Sequence, residues 1–217
     1  MRTRFDQQLK ELHTGLITMG ALCEDAIASV ATALINGDTE RLPAVFDAAG
    51  RLKEMEKDVE AQCLGLLLRQ QPVARDLREI SAALKMIYDL SRIGDQAADV
   101  AELLPYVGRH PLPADLPMGD MARSVIRMVT DSVDAFVKKD ADAARAVIAF
   151  DDTVDAQFSD IKQKLTALIR EGVEDAEWCL DLLMTAKYFE RIGDHTVNVA
   201  GWVIFSVTGR HEGEDIE

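Results

Sequence analysis

Apolar residues recur along the chain in steps of three and four, which is the spacing of one face of an α-helix. In the first such stretch they fall at Phe5, Leu9, Leu12, Leu16, Met19, Cys23, Ala26, Val30 and Ala33. A second stretch runs from about residue 39 to residue 70 and places Leu52, Val59, Cys63 and Leu66 on one face. A third runs from about Val73 to Pro105 and carries Ala83, Met86, Leu90, Ile93, Ala97, Val100 and Leu104. The pattern predicts three long helices that pack together.

Turn residues separate these stretches. Gly37 is suited to a helix C-cap and Asp38 to the N-cap of the next helix. Pro72 interrupts the second stretch. Residues 106–117 carry three prolines and a glycine, so they are predicted to link two halves.

The same pattern then restarts and predicts helices over residues 118–138, 141–170 and 174–207. Shifted by 99 residues (residue 83 to residue 182), the third apolar face becomes Leu182, Thr185, Phe189, Ile192, Thr196, Val199 and Val203. We therefore predict an all-α protein of two tandem antiparallel three-helix bundles related by internal duplication: residues 1–105, a linker over 106–117, residues 118–209, and an acidic tail over 210–217. The pattern leaves open whether the bundles lie side by side or end to end.

Composition narrows the classes of partner. Asp and Glu outnumber Lys and Arg by 38 to 24, for a net charge of -14, which argues against nucleic acid and favours cations or basic protein surfaces. Cys23, Cys63 and Cys179 are odd in number and sit in apolar stretches, so we expect buried free thiols. No apolar run reaches about 18 uninterrupted residues, so we expect no membrane insertion and a cytoplasmic location.

One phrase occurs twice, as Arg92-Ile93-Gly94-Asp95 and as Arg191-Ile192-Gly193-Asp194. Residues three and four apart share a helix face. Asp95, Asp99 and Glu102 therefore form one polar stripe, and Glu190, Asp194 and Asn198 form its counterpart, both pointing away from the apolar face.

These stripes have two interpretations. They are solvated surfaces, or they are cation sites, because like charges at this spacing repel until a cation is bound. Carboxylate and amide oxygens suit hard cations such as magnesium, calcium, manganese or iron. Asp152 and Asp155 on the fifth helix are candidate further ligands, although ordinary surface acids would look the same. Gly94 and Gly193 lie in the middle of predicted helices. Each glycine either lets a neighbouring helix approach closely or leaves space around the aspartate that follows it.

Catalytic motifs are missing from the sequence. None of His13, His110, His195 and His211 follows an acid by three residues, which excludes the Glu-x-x-His pairs of ferritin-like di-iron proteins. We interpret His195 as an exposed polar residue rather than a metal ligand. No phosphate-binding glycine loop or activated nucleophile is present, so we assign no catalytic and no organic-cofactor residues.

The tandem RIGD phrase and the segment QQPVARDLR, residues 70–78, resemble the PhoU family of bacterial phosphate-uptake regulators over residues 4–209. The resemblance implies an acid-x-x-x-Asp metal motif on the third helix of each bundle. Glu190 and Asp194 match it, whereas Ser91 stands where the first copy would have an acid. Taken together, the residues and the resemblance predict bound metal, with iron, manganese, magnesium or zinc as candidates. The candidate ligands are Glu190, Asp194, Asn198, Asp95, Asp99, Asp152 and Asp155.

The resemblance also implies a role. It predicts a cytoplasmic negative regulator that couples a phosphate ABC transporter, through its ATPase, to the sensor histidine kinase of the phosphate response. Such a protein would reach the inner membrane through the transporter, and a homodimer is one expected assembly. Two other classes stay open from the residues themselves: a carboxylate-cluster metalloenzyme and a purely structural helical scaffold.

Overall fold

A computed structural model describes residues 2–70 and 72–210. Met1, Gln71 and residues 211–217, which include His211 and nearly all of the predicted acidic tail, lie outside the described residues. The described chain forms six helices and no strand. They are α1 (Arg2–Asn36), α2 (Leu42–Gln70), α3 (Ala74–Val107), α4 (Met118–Lys138), α5 (Ala141–Arg170) and α6 (Ala176–Thr208). The all-α prediction is confirmed, and most helix ends fall within about three residues of their predicted positions.

The predicted apolar faces form the core. The α6 face, including Phe189 and Ile192, is fully buried, and the equivalent α3 face, including Met86 and Ile93, is buried along its length. On α1 the predicted face is buried except for Leu9, which packs partly buried against the core. The three-and-four spacing therefore identified the buried sides of α1, α2, α3 and α6.

The six helices form one side-by-side body. α1, α3, α6 and α4 contact one another in a closed cycle, α2 packs on α1 and α3, and α5 packs on α4 and α6. α3 and α6 make the most extensive contact and run antiparallel, since Asp89 meets Asn198 while Val107 meets Trp178. The side-by-side alternative is the correct one, and the two repeats meet along the α3–α6 seam.

Left-handed residues and polar caps fix several helix ends. Gly37 and Gly209 follow α1 and α6 with φ of 70° and 80°, a conformation that glycine adopts without steric cost. Lys139 ends α4 with φ 55° despite its side chain. Asp140 caps α5 by accepting from the amides of Asp142 and Ala143 at 3.0 Å.

Two predicted boundaries were wrong. α2 begins at Leu42 rather than Thr39 because Pro43 lies in its first turn, and Asp38 instead accepts from the amide of Glu40 within the preceding turn. α3 continues through Pro105 to Val107. Proline there removes only one amide donor close to the helix end, so the linker begins two residues later than expected.

The three cysteines are free and buried, as predicted. Burial raises the pKa of each thiol, that of Cys63 to about 12. Phe5–Asn36 of α1 contains an 18-residue window of hydropathy 1.4, apolar enough by length and composition to cross a membrane. That window is 56% buried among the other helices, as in the core helix of a bundle.

Candidate functional site

The second half of the molecule brings four carboxylates together where α5 packs against α6. We call this group the acidic face: Asp151, Asp155, Glu190 and Asp194. Gly193 lies at the contact, because a Cβ on it would stand 2.8 Å from Oδ1 of Asp151 and 3.5 Å from Cγ1 of Val154. The glycine therefore admits the neighbouring helix, and that close approach sets Asp151 beside the predicted motif.

The acidic face is electrostatically strained. Burial, followed by the charges of Asp155, Asp194, Glu190 and Asp152 in that order, raises the pKa of Asp151 from 3.8 to about 6. Among ion pairs between described residues, one reaches this face, with Lys187 donating to Glu190. The face thus has more negative charge than its surroundings neutralise, which is the condition under which a cation is attracted.

Asp151 was not among the residues predicted from the sequence. The prediction chose Asp152 and Asp155, and the structure places Asp155 among the groups acting most strongly on Asp151 and Asp152 among the weakest. Asp151 and Asp155 are four residues apart and share one helix face, a spacing that could have revealed the pair. Asp152 is exposed at the edge of the face.

The carboxylates of the acidic face lie near one another but do not form a complete set of metal ligands. Across residues 2–70 and 72–210, no three His, Cys, Asp or Glu side chains are arranged to hold a metal ion as they stand. The donor set itself consists of oxygens, which suits a hard cation. Three of these side chains, those of Asp155, Asp194 and Asp151, are exposed or partly exposed and free to turn toward an ion.

The first half has a different set of residues at the equivalent place. Asp95 is held by Lys53 Nζ at 2.8 Å and by Arg92 NH1 at 2.9 Å. Ser91 is buried. Burial raises the pKa of Asp99, and the nearby charges of Glu102 and Asp95 act in the same direction. The structure therefore brings the predicted residues of this half near one another, but the side chains of Lys53 and Arg92 already pair with Asp95.

The seam between the halves uses Asn198 of the α6 polar stripe and His195 beside that stripe. Asp89 of α3 is buried, and its Oδ1 accepts from Nδ2 of Asn198 at 3.2 Å and lies 2.9 Å from Nδ1 of His195. His195 is thus a partner in an interhelical contact rather than a free exposed residue. Asp89 faces α6 and does not replace the acid missing at Ser91. Asn198 keeps its amide oxygen available while its nitrogen is used.

A second polar cluster, which the sequence did not suggest, joins three elements. The carboxylate of Glu79 on α3 lies 2.6 Å from Nε2 of His13 on α1 and 2.7 Å from Nζ of Lys139 after α4. These two partners lower the pKa of Glu79 against the opposing effect of burial. This cluster fastens the start of α3 to both halves.

Comparisons with known proteins agree with this architecture. A family model described as PhoU domain matches residues 16–104 and 118–203, one match in each half. A Pseudomonas putida protein described as a phosphate-specific transport system accessory protein PhoU homolog is 33% identical, over 97% of this chain and 84% of its own. The Escherichia coli K12 protein described as phosphate-specific transport system accessory protein PhoU is 29% identical, over 98% and 90%.

Two solved structures also match this chain over most of its length. The crystal structure of PhoU from Pseudomonas aeruginosa has a TM-score of 0.89 and 31% identity, covering 95% of this chain and all of that one (100%). The phosphate transport system regulatory protein PhoU from Streptococcus pneumoniae has a TM-score of 0.87 at 21% identity, with 95% and 98% covered, and shows the shared fold.

Proposed function

Because the chain belongs to the PhoU family, we propose that it is an accessory protein of a phosphate-transport system that acts as a negative regulator of phosphate uptake. In this proposal it lies in the cytoplasm and contacts the ATPase of a phosphate ABC transporter and the sensor histidine kinase of the phosphate response. It damps uptake and starvation genes when phosphate is plentiful. Support comes from the match of both halves to the family model and from the names of relatives that align over nearly the whole chain.

We further propose that the acidic face binds a divalent or trivalent metal ion as part of this role. Asp151, Asp155, Glu190 and Asp194 would hold iron, manganese, magnesium or zinc, and the ion would neutralise their mutual repulsion. One observation carries this proposal: four carboxylates converge across α5 and α6 with a single lysine as their ion-pair partner among the described residues. The ion would tie α5 to α6 and so fix the shape of the surface offered to a partner.

The regulatory proposal is tested by deleting the gene and measuring starvation-gene expression in phosphate-rich medium. We expect derepression, with repression restored by the wild-type chain. Unchanged expression after deletion would contradict the proposed role.

The metal proposal is tested by elemental analysis of the purified protein and of Glu190→Gln/Asp194→Asn. The double variant should lose the retained metal while keeping its helical content, since both changes preserve side-chain size. Glu171→Gln/Glu174→Gln removes the same charge from exposed positions between α5 and α6 and should keep the metal. Equal metal in the parent and in Glu190→Gln/Asp194→Asn would refute the site.

We propose regulation rather than catalysis, and we assign no catalytic residue. A metal-loaded carboxylate cluster could in principle activate water, so phosphoester hydrolysis by the pure protein that is lost in Glu190→Gln/Asp194→Asn would favour the enzyme alternative. Full repression of starvation genes by that double variant would favour the purely structural scaffold.

A further inference from the structure

The two halves are equivalent at an offset of 99 residues, and the structure verifies this equivalence at the candidate site. A Cβ built on Gly94 would overlap Cδ1 of Leu52, as a Cβ built on Gly193 would meet Oδ1 of Asp151. Leu52 and Asp151 are themselves 99 residues apart (52 and 151). The same pair of helices therefore makes the same contact in both halves, once through a leucine and once through a carboxylate.

Two other equivalent positions also differ in charge. Lys53 corresponds to Asp152 and Ser91 to Glu190, whereas Asp95 corresponds to Asp194 and Glu56 to Asp155 with the charge unchanged. The first half thus lacks three acids that the second half has and gains an ammonium group on the helix facing Asp95. Asp95 is the one carboxylate common to both copies of the RIGD phrase.

Both carboxylate oxygens of Asp95 are engaged. Oδ1 pairs with Nζ of Lys53 at 2.8 Å, and Oδ2 accepts from NH1 of Arg92 at 2.9 Å. The Asp95 side chain is only 18% exposed. Leu52 is fully buried, and buried Ser91 offers a neutral hydroxyl in place of a carboxylate. These residues do not fit a hard cation, which needs several uncommitted anionic oxygens.

We propose that Lys53 is the built-in counter-ion of the first half, so that the chain binds metal in its second half only. The lysine ammonium bridges α2 to α3 without a bound ion. This is the role that a metal ion has between α5 and α6 in the proposed function, on which this inference rests. The first half is then fixed in the form that the second half reaches only after binding an ion. Metal occupancy therefore changes one half of the molecule.

The first experiment measures Mn²⁺ binding by calorimetry on chelator-treated full-length protein. Wild type should show one class of sites, Glu190→Gln/Asp194→Asn should lose it, and Asp95→Asn should retain it within about a factor of two. Loss of Mn²⁺ binding in Asp95→Asn would overturn the inference. A variant carrying Leu52→Asp, Lys53→Asp and Ser91→Glu restores the second-half residues and should gain a further site, and its failure to do so while folded would also count against the inference.

The second experiment needs no metal and separates this inference from the proposed function. In the presence of a chelator, Asp95→Asn should lower the melting temperature by roughly 2 °C, because it breaks both ion pairs of the mostly buried Asp95 carboxylate. Asp194→Asn should leave it unchanged or raise it, because it relieves repulsion. Absence of Mn²⁺ binding in wild type would refute the metal site of the proposed function, whereas equal melting shifts in the two variants would refute the counter-ion role of Lys53. Lys53→Met breaks one of the two ion pairs and should lower the melting temperature by a smaller amount.

Discussion

The two halves of this molecule share the helix contact at the mid-helix glycine and differ in the charges beside it. In the first half, Asp95 has a cation on each carboxylate oxygen. In the second half, burial and then the charges of the acids around Asp151 raise its pKa to about 6. Duplication has preserved the geometry, namely a helix approaching a mid-helix glycine, while the chemistry at that contact has diverged. The shape of the site is therefore shared, and its charge balance decides which copy responds to an ion.

The ends of the seam show the same divergence. Glu79 near the start of α3 and Trp178 near the start of α6 are equivalent at the 99-residue offset. Glu79 contacts His13 and Lys139 as an ion, whereas Trp178 donates from its indole nitrogen to the carbonyl of Val107 at 2.8 Å. One end of the seam is fastened by charge and the other by an aromatic ring, so the two ends respond differently to substitution.

The largest expected effect comes from Glu79→Gln. The glutamine keeps the size of the side chain but leaves Lys139 and His13 without their buried carboxylate, so the free energy of unfolding should fall by about 3 kcal/mol. Trp178→Phe loses one hydrogen bond and some packing and should cost about 1–2 kcal/mol. Urea unfolding at pH 7 measures both. Equal losses in the two variants would mean that the charged end is no stronger than the aromatic end.

A smaller contrast is expected between the two glycines. Gly94→Ala places a methyl group against Leu52 with the α2 backbone close behind, at 3.6 Å from Cα of Ala49, so it should destabilise by about 2 kcal/mol. Gly193→Ala meets the end of Asp151, a partly exposed side chain that can turn aside. The gain in helix propensity, roughly 1 kcal/mol, should then offset most of the cost.

Thermal unfolding in chelator measures the stability of both alanine variants, and calorimetry with Mn²⁺ adds a second measurement for Gly193→Ala. Turning Asp151 away should weaken Mn²⁺ binding even where stability is unchanged. If Gly193→Ala were as destabilising as Gly94→Ala, the α5–α6 contact would be as rigid as the α2–α3 contact, and the contrast between the halves would be lost.

The fold followed closely from the sequence because the apolar spacing is strong and regular. The face of α3 was predicted residue by residue, and its 99-residue shift predicted α6, including the buried hydroxyls of Thr185 and Thr196. Two helix boundaries were predicted wrongly, both near a proline. Pro43 lies in the first turn of α2, a helix that Asp38 was expected to cap. Pro105 lies in the last turn of α3, a helix that was expected to end there.

The candidate site was less predictable because it depends on contacts between helices. Glu190 and Asp194 follow from one helix and its repeat, but Asp151 joins them only through the packing of α5 at Gly193. The contacts of Lys53 and Glu79 could not be predicted for the same reason, since the partners of each residue lie on other elements of the chain. Spacing along one helix cannot specify which side chains a second helix supplies, nor that Asn198 would donate to Asp89 across the seam.

The smallest effect, and the one that most directly tests the charge balance, is the pH dependence of the metal-free protein. The Asp151 carboxyl has a pKa of about 6 when folded, against an ordinary value of 3.8. The folded state then binds more protons than the unfolded state between these values, so stability should rise as pH falls from 7.5 to 5. A two-unit shift corresponds to about 3 kcal/mol, but solvent screening of this half-exposed group reduces the expected gain to about 1 kcal/mol.

Urea unfolding in chelator at pH 7.5 and pH 5 measures this gain. Asp151→Asn should abolish it, and Asp152→Asn, at the exposed edge of the face, should keep most of it. An identical pH difference in wild type and Asp151→Asn would show that the acidic face is not strained. With excess Mn²⁺ the sign of the wild-type change should reverse, because protons then compete with the ion for the same oxygens. The first half should show no such reversal, since its Asp95 carboxylate contacts Lys53 and Arg92 and leaves no oxygen for the ion.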